Sequence, residues 1–550
     1  MGTGGDGAPP MTARRSPDFN LGQALSDPGF TPRVRDVPAL LEHVATGDDL
    51  ADAAERALLR VGVPAGLVAA ERAGEAPPIE RFRLTRLVGR LAADGDGSTL
   101  APFLLARLED ADDRTRRAAA NALGKARLTG TAEALAAALA RESEGPTRKA
   151  LIEALGKAGG EAAVAALRLE TSGLPGSVAA KAQLMAERTV AREVASAIDG
   201  TREADGPVPV VLRCRAGLER ILLEELDADL RTHVVRRPLG GTRIEAELSG
   251  PLDRLFQART MLSFAFPLPE IRVARDADLA PVIADALTSK AALGLFQRFT
   301  AGPVRYRLGW ASGGKRRAVV WRAASEVRER SRALGIDLVN DPTESLWDVT
   351  VFEAVGAIRI ELSPRLADPR FTYRKGDVPA ASHPTIAAAL VRAGGVSPND
   401  IVWDPFMGSG MELCERALAG PYQLMIGTDR DPSAIAVARE NLAAAGARDA
   451  ILMAGDATSI ALPGRPSLIL TNPPLGRRVE RTTELAPMLD RLMARAARSL
   501  VKGGRMVWIA PFPEKSDLVA LRAGLEISIA EDVDMGGFTG RLQVLRRPED

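Results

Sequence analysis

Apolar residues recur at helical spacing through the first third of the chain and then give way to short apolar runs separated by turns. Residues 45–197 are rich in Ala and Leu and poor in Pro, which predicts helix after helix. Within them, Ala122–Ala126 recurs as Ala154–Ala158, with a fainter copy at Leu87–Leu91. Such a repeat is one helix pair, which buries its apolar stripe only against neighbouring pairs. We therefore predict a helical solenoid, preceded over residues 1–44 by a flexible tail without apolar periodicity.

After a polar linker at residues 196–207, the pattern changes to alternating strands and helices. Val208–Leu212 predicts a strand, and a strand-rich part follows near residues 304–322. Residues 207–375 are therefore predicted to form an α+β domain.

From residue 378 to 550 the predicted strands each end in a polar residue. Ile401–Asp404 is followed by a glycine turn and a helix, the geometry that places a ligand over the carboxyl end of a sheet beside a helix N-terminus. Leu413 stands where a dinucleotide fingerprint needs a third glycine, and no Gly-Lys-Ser/Thr phosphate loop is present. The pattern predicts an α/β domain but favours neither NAD nor ATP.

Two further strand-end carboxylates indicate the cofactor. Asp429 is placed to accept the hydroxyls of a ribose, and Asp456 to accept a hydrogen bond from an adenine amine. Together with Asp404 they suggest a nucleoside with a positively charged arm, which S-adenosylmethionine fits. The candidate cofactor-binding residues are Asp404, Phe406, Gly408, Gly410, Asp429, Arg430, Asp456 and Ala457.

The fourth strand of this domain ends in Asn472-Pro473-Pro474-Leu475, the candidate catalytic residues. An exocyclic amine on a purine is a poor nucleophile because its lone pair is delocalised. The side-chain oxygen of Asn472 and the carbonyl of Pro473 can accept its two hydrogens and turn the lone pair toward a methyl group. The paired prolines stiffen this loop.

Composition limits the alternatives. The formal net charge is +1, so any nucleic-acid surface must be local. The only Cys and His residues are Cys214, Cys414, His43, His233 and His383, and none has metal-ligand spacing, so we expect no metal. No apolar run is long enough to cross a bilayer and no signal peptide is evident, so we expect a cytoplasmic protein without a membrane partner.

Positive charge is concentrated between Leu295 and Gly335, which hold ten basic and two acidic residues. Phosphate backbones would explain such a segment, and its aromatic residues can stack on bases or fill a core. A solvated basic face is the other interpretation. The candidate RNA-binding residues are Arg305, Arg307, Lys315, Arg316 and Arg317, together with Arg477 and Arg478 after the Asn-Pro-Pro loop.

The motifs of residues 404–410 and 471–474, with Asp429, Asp456 and the segment from His383, resemble the methyltransferase domain of THUMP-containing guanine-N2 RNA methyltransferases. Upstream, the segment from Cys214 to Glu219 resembles that family's opening segment. The family's THUMP module is similar to the part of this chain that contains Lys315–Arg317, Asn340–Pro342 and Trp347. The helical block resembles HEAT-type repeats.

The resemblance implies a HEAT-like all-α solenoid, a central ferredoxin-like plus THUMP α+β region, and a C-terminal Rossmann-like class I methyltransferase domain. It implies that the THUMP region holds structured RNA, usually tRNA, and presents a guanosine to residues 472–475. The family usually has Tyr or Phe where Leu475 stands, so base stacking is in question.

Two alternatives stay open at this point: an N-methyltransferase acting on DNA bases or protein, and a catalytically weak RNA-binding scaffold. The sequence also leaves open whether the HEAT-like repeats bind a protein partner or widen the RNA surface.

Overall fold

The computed structural model describes residues 20–27, 30–95, 97–126, 128, 130–143, 145–170, 177–203, 206–226, 243–314, 316–379, 381–474 and 482–549. These residues form three consecutive units: a stack of helices, an α+β unit and an α/β unit.

The first unit is all-helical. Small residues hold its inner helices close together: a Cβ added to Gly124 would lie 2.7 Å from the Cα of Ala154, and one added to Gly156 would lie 2.7 Å from the Cα of Ala182. The helices are α1 (Leu21–Leu25), α2 (Val37–Thr46), α3 (Ala51–Val61), α4 (Val63–Glu75), α5 (Pro78–Asp94), α6 (Ala101–Ala106), α7 (Asp113–Ala126), α8 (Thr131–Arg141), α9 (Pro146–Ala158), α10 (Gly160–Glu170) and α11 (Val178–Glu193). Helices α5, α7, α9 and α11 pack side by side in that order.

The flexible tail expected over residues 1–44 is wrong from helix α2 onward. Val37, Leu40, Leu41 and Val44 are buried in the core of the helical unit. Their spacing of three, four and seven residues is that of one helix face, so burying them stabilises a helix here.

The second unit begins earlier than predicted, because the expected linker takes part in a sheet: Ala197 pairs with Ala301 and Ile198 with Thr300. Its elements are β1 (Ala197–Ile198), β2 (Val208–Arg213), α12 (Glu219–Glu225), β3 (Arg243–Leu248), β4 (Ser263–Pro267), β5 (Ile271–Arg272), α13 (Leu279–Leu287), α14 (Lys290–Phe299), β6 (Thr300–Ala301), β7 (Val304–Trp310), α15 (Arg317–Ala333), β8 (Leu338–Asn340), β9 (Trp347–Ala354) and β10 (Ala357–Pro364).

The main sheet of the α+β unit has the order β3-β2-β4-β10-β9-β7-β8, with β5 paired to β10. Strand β7 runs parallel to β8 and β9, whereas the other pairs are antiparallel. The strand-rich part expected over residues 304–322 is only partly correct, since the strand ends at Trp310 and residues from Arg317 form helix α15.

The third unit is a doubly wound α/β sheet with the order β13-β12-β11-β14-β15-β17-β16. Strands β11 to β15 pair in parallel, and β16 and β17 form an antiparallel hairpin at the end of the sheet. Its elements are α16 (Pro384–Gly394), β11 (Ile401–Asp404), α17 (Met411–Leu418), β12 (Leu424–Asp429), α18 (Pro432–Ala444), β13 (Ala450–Ala454), β14 (Leu468–Thr471), α19 (Thr482–Ser499), β15 (Arg505–Ala510), α20 (Pro513–Arg522), β16 (Glu526–Asp534) and β17 (Thr539–Arg546).

The α+β and α/β units share one continuous hydrophobic core and a buried ion pair. Arg259 donates from Nε to Glu415 at 2.6 Å, and the Tyr373 hydroxyl donates to the same carboxylate at 2.5 Å. Within the described residues, no single helix has the length and apolarity to cross a membrane; only the bent pair α13 and α14, largely buried here, meets that criterion jointly.

Candidate active site

The first strand-end carboxylate, Asp404 at the end of β11, is fully buried. Its Oδ1 accepts hydrogen bonds from Thr471 Oγ1 at 2.8 Å and from the backbone N–H of Phe406 at 3.1 Å. Its Oδ2 has no hydrogen-bond partner among the described residues. Burial raises the pKa of Asp404, and the nearby Glu412 carboxylate raises it further. The site thus holds a buried carboxyl oxygen with a hydrogen-bonding position that a ligand can fill.

The glycine turn after β11 brings backbone up to the second carboxylate. Gly408 and Gly410 adopt φ values of +48° and +80°, which glycine adopts without the penalty of a side chain. In this conformation the N–H of Gly408 donates to Asp429 Oδ2 at 2.9 Å. The hydroxyl oxygen of Ser409, at the centre of the turn, is buried without a partner among the described residues.

The third strand-end carboxylate, Asp456, pairs with Arg430, which directly follows the second, Asp429. Asp456 Oδ2 pairs with Arg430 at 2.7 Å, and its Oδ1 accepts from the backbone N–H and hydroxyl of Thr458 at 2.8 and 2.7 Å. These hydrogen bonds lower the pKa of Asp456. Ala457, by contrast, is buried in the apolar core beneath the edge. The structure therefore brings the predicted cofactor residues to one edge of the sheet.

Asn472 follows β14 at the same edge. Its Nδ2 donates to Ser382 Oγ at 2.9 Å, and Ser382 Oγ donates its proton to Glu412 Oε1. A hydroxyl has one hydrogen, so Ser382 can only accept from the Asn472 amide, which keeps Nδ2 on Ser382 and turns Oδ1 away. That Oδ1 is buried and has no partner among the described residues. The amide oxygen is thus free to accept a hydrogen bond from a ligand.

Sequence reasoning missed Ser382 and Glu412. Glu412 lies on α17, is 2 % exposed, and burial raises its pKa to about 7. No local pattern in the sequence of α17 distinguishes Glu412 from a solvated helix residue; its role is visible only from its burial in the structure. Pro473 and Pro474 follow Asn472 as predicted, whereas Leu475, Arg477 and Arg478 lie outside the described residues.

Among the predicted RNA-binding residues that the structure describes, Arg305 is not on the surface. It is 7 % exposed, donates to the backbone carbonyl of Ala191 at 3.3 Å and lies 3.7 Å from Glu344. The assignment of Arg305 to RNA binding is therefore wrong, because the helical unit covers it.

Arg307 and Arg316 are more exposed but have carboxylate partners. Arg307 Nε lies 3.1 Å from Asp348, and Arg316 donates from Nη2 to Glu353 at 2.6 Å. Arg317 is exposed and makes no ion pair with any described residue, while Lys315 lies outside the described residues.

The rest of the basic segment is also largely neutralised, mainly by acids distant in sequence. Arg328 and Arg332 both pair with Glu187 of α11, which is 3 % exposed. Other pairs are Arg322 with Asp278 and Arg330 with Asp285 and Glu326. The net positive charge counted along the sequence is therefore mostly absent from the folded surface.

The aromatic residues of that segment serve the core rather than an open surface. Phe299 and Tyr306 are fully buried and Trp310 is 8 % exposed. The ring of Trp321 is covered by the guanidinium of Arg188 at 4.7 Å. This agrees with the core interpretation of these residues.

Comparison with known sequence families gives two matches. Residues 372–537 match the UPF0020 family, described as an RMKL-like methyltransferase domain, and residues 101–172 match HEAT repeats. The tRNA (guanine(10)-N2)-dimethyltransferase of Methanothermobacter thermautotrophicus is 32% identical over 134 residues, which are 24% of this chain and 39% of that protein. The match thus spans well under half the length of this relative.

Among solved structures, TrmN from Thermus thermophilus is similar at 23% identity and a TM-score of 0.48, covering 62% of this chain and 99% of that one. The methyltransferase SMU.472, crystallised with SAH, is 12% identical at a TM-score of 0.49, covering 63% and 99%.

The C-terminal α/β unit therefore matches a methyltransferase domain. The similarity to the UPF0020, RMKL-like family covers residues 372–537, and these residues follow a helical unit that is similar to HEAT repeats over residues 101–172. The orphaned oxygens of Asp404 and Ser409 and the glycine turn beside Asp429 fit a polar nucleoside cofactor. Within the described residues, no three His, Cys, Asp or Glu side chains are grouped to hold a metal ion.

Proposed function

We propose that the protein transfers a methyl group to the exocyclic N2 amine of a guanosine in a structured RNA, with tRNA as the substrate. The observation that carries the proposal is the buried, unpartnered Oδ1 of Asn472 beside the cofactor edge. The name of the Methanothermobacter relative, a tRNA guanine-N2-dimethyltransferase, supports guanosine as the base. In this proposal the α+β unit is a THUMP-like RNA-binding region.

In this proposal, one set of residues at the sheet edge binds the cofactor and another binds the base. Asp429 and Asp456 hold the nucleoside part of the cofactor, with Gly408 and Gly410 allowing close approach and Asp404 and Ser409 offering acceptors. S-adenosylmethionine supplies an electrophilic methyl group when bound. The chain does not need to activate that methyl group, so its task is to align the acceptor amine.

Asn472 and Pro473 provide this alignment. The Oδ1 of Asn472 and the carbonyl of Pro473 accept the two amine hydrogens, which turns the nitrogen lone pair out of conjugation and toward the methyl group. The same oxygens would stabilise the positive charge on the nitrogen as it accepts the methyl group, and the nitrogen would return to neutral by releasing one of its two protons to water. Ser382 is a positioning residue, since its hydroxyl holds the Nδ2 of Asn472 and so directs Oδ1 toward the base.

The test is transfer of labelled methyl groups from S-adenosylmethionine to separate pools of tRNA, rRNA, DNA and protein, followed by nucleoside mass spectrometry. We expect N2-methylguanosine in tRNA. Asn472→Ala should lower kcat about 10²- to 10³-fold, the effect of losing one preorganised hydrogen-bonding group in an active site. Its affinity for S-adenosylmethionine, measured by calorimetry, should stay unchanged because Asn472 serves the base.

The exposed Asn399 gives a matched control: Asn399→Ala should retain full activity. Ser382→Ala should lower kcat with little change in the KM for the cofactor, and Ser382→Thr, which keeps the hydroxyl, should recover most of it. Labelled methyl groups in DNA or protein but not in RNA would contradict the proposed RNA substrate. Full activity of Asn472→Ala would contradict the assignment of Asn472 to the active site.

A further inference from the structure

The inner helices of the helical unit carry a basic side chain at the same place in successive repeats. Arg90, Lys125 and Lys157 each directly follow the glycine through which α5, α7 and α9 contact the next helix. Because these glycines fix how neighbouring helices stack, the three side chains lie in register across the stack. Packed helices are about 8–10 Å apart, which sets the spacing of the row.

Further basic residues lie on the same face of these helices. Arg114 and Arg117 precede Lys125 by 11 and 8 residues, and Lys149 precedes Lys157 by 8. A separation of 11 residues is three helical turns to within about 20°, so Arg114 lies in line with Lys125. A separation of 8 residues lies about 80° further round the helix, so Arg117 and Lys149 lie on the flank of the same side of α7 and α9. We call Arg114, Arg117, Lys125, Lys149, Lys157 and Lys181 of α11 the basic face.

The charge of the basic face is not neutralised within the described chain. None of its six residues makes an ion pair with a described residue, and helices α7 and α9 each contain a single acid, Asp113 and Glu153. Arg90, at the edge of the row, shares the carboxylate of Glu55 with Arg86 at 2.8 and 3.4 Å. The basic face therefore carries an excess of positive charge. In the segment between Leu295 and Gly335, by contrast, ion pairs neutralise most of the positive charge.

The basic face runs up to the α+β unit. Lys181 and Arg188 are seven residues, or two turns, apart on α11 and so point to the same side. Arg188 donates to Asn340 Oδ1 of the α+β unit at 2.7 Å. The α+β unit thus docks on the side of the stack where the basic face lies, and a long polyanion can contact both.

We propose that the basic face binds the phosphate backbone of the RNA substrate. This inference rests on the proposed function, because it takes the methylated RNA as the occupant. The row of cations complements a polyanion, and helix-borne lysines and arginines without aromatic neighbours contact phosphates rather than bases. Binding should therefore be insensitive to sequence and strongly dependent on salt.

The test compares two double variants of the full chain that remove equal charge. Lys125→Gln with Lys157→Gln changes the row, and Lys290→Gln with Lys502→Gln changes two exposed lysines elsewhere. Binding of an unmodified tRNA transcript is measured by fluorescence anisotropy over a salt series. We expect the first variant to raise Kd severalfold and to reduce the slope of log Kd against log salt by about 1 to 2, and the second to match the unaltered protein.

Equal slopes for the two variants would overturn the inference, as would the absence of RNA binding by the unaltered protein. Failure of the proposed function has a different signature, because methyl transfer that avoids RNA or ignores Asn472→Ala appears in the labelling assay. Thermal melting of both variants checks that the helices remain folded.

Discussion

Two regions of the molecule differ in whether their buried polar groups have partners: the carboxyl edge of the α/β sheet and the basic segment of the α+β unit. At the edge, Asp404 Oδ2 and Asn472 Oδ1 are buried and unpartnered among the described residues. In the basic segment, buried arginines such as Arg328 are matched by carboxylates such as Glu187. An unsatisfied buried polar atom costs about 1–3 kcal/mol, whereas a matched pair avoids that cost. The first region is arranged for a ligand and the second joins two units of the chain.

The difference teaches how to interpret clustered charge. A cluster of arginines indicates an anion, but that anion can be another part of the same protein. Here it includes Glu187 of the helical unit, whose carboxylate lies between Arg328 and Arg332. Burial and pairing in the folded chain, rather than composition, separate a ligand site from an internal contact.

The largest expected effect on stability comes from breaking the contact of Glu187 with Arg328 and Arg332. Glu187→Ala removes the carboxylate that Arg328 and Arg332 share, but Arg328 keeps its pair with Asp337 and Arg332 is partly exposed. We therefore expect a cost near the lower end of that for breaking a buried ion pair, about 3 kcal/mol. We expect helix α11 to separate more readily from the α+β unit, so its backbone amides should exchange faster with deuterium, as measured by mass spectrometry.

The neighbouring Glu193→Ala is the control, since Glu193 is exposed on the same helix and its loss should cost less than about 0.5 kcal/mol. Equal exchange in both variants would show that the basic segment does not hold the helical unit, and the contrast between the two regions would be lost.

The parts of the site that follow from sequence are those built from neighbouring residues. Asp404, Asp429 and Asn472 each lie at the end of a parallel strand, and the topology of such a sheet brings strand ends to one edge. Ser382 was missed because its contact with Asn472 spans 90 residues, and no local pattern reports it. The pairing of Arg328 with Glu187 spans 141 residues and was missed for the same reason.

Helix α2 is a different case, because its signal was present in the sequence. The apolar spacing of Val37, Leu40, Leu41 and Val44 follows a segment rich in Gly and Pro, whose composition dominated the prediction. Short local periodicity is therefore a better guide to the start of a folded unit than average composition.

A smaller effect tests the electrostatics of the edge. Burial, with Asp404 and Glu415 nearby, raises the pKa of Glu412 to about 7, so the folded chain holds this proton to higher pH than the unfolded chain does. Its ionisation therefore lowers the free energy of unfolding as pH rises from about 4.5 to about 7. Glu412→Gln should remove this loss, becoming more stable than the unaltered protein by as much as about 3 kcal/mol at pH 8 but not at pH 4.

Urea denaturation at both pH values measures this difference, with Glu440→Gln on the exposed side of α18 as the control. A variant that is equally stable at both pH values relative to the unaltered protein would show that Glu412 titrates normally.

The smallest expected effect is on RNA binding, and it compares a paired with an unpaired arginine of the basic segment. Arg316 and Arg317 are adjacent and both exposed, but Arg316 is paired with Glu353 and Arg317 makes no ion pair with a described residue. Because Arg316 is already neutralised, Arg316→Ala should leave the salt dependence of tRNA binding unchanged, at a stability cost of about 0–1 kcal/mol. Arg317→Ala should reduce the slope by about 1 if this exposed guanidinium contacts a phosphate. Equal losses from both variants in anisotropy titrations would mean that pairing with Glu353 does not withhold Arg316 from RNA, and charge counted along the sequence would then be the better guide.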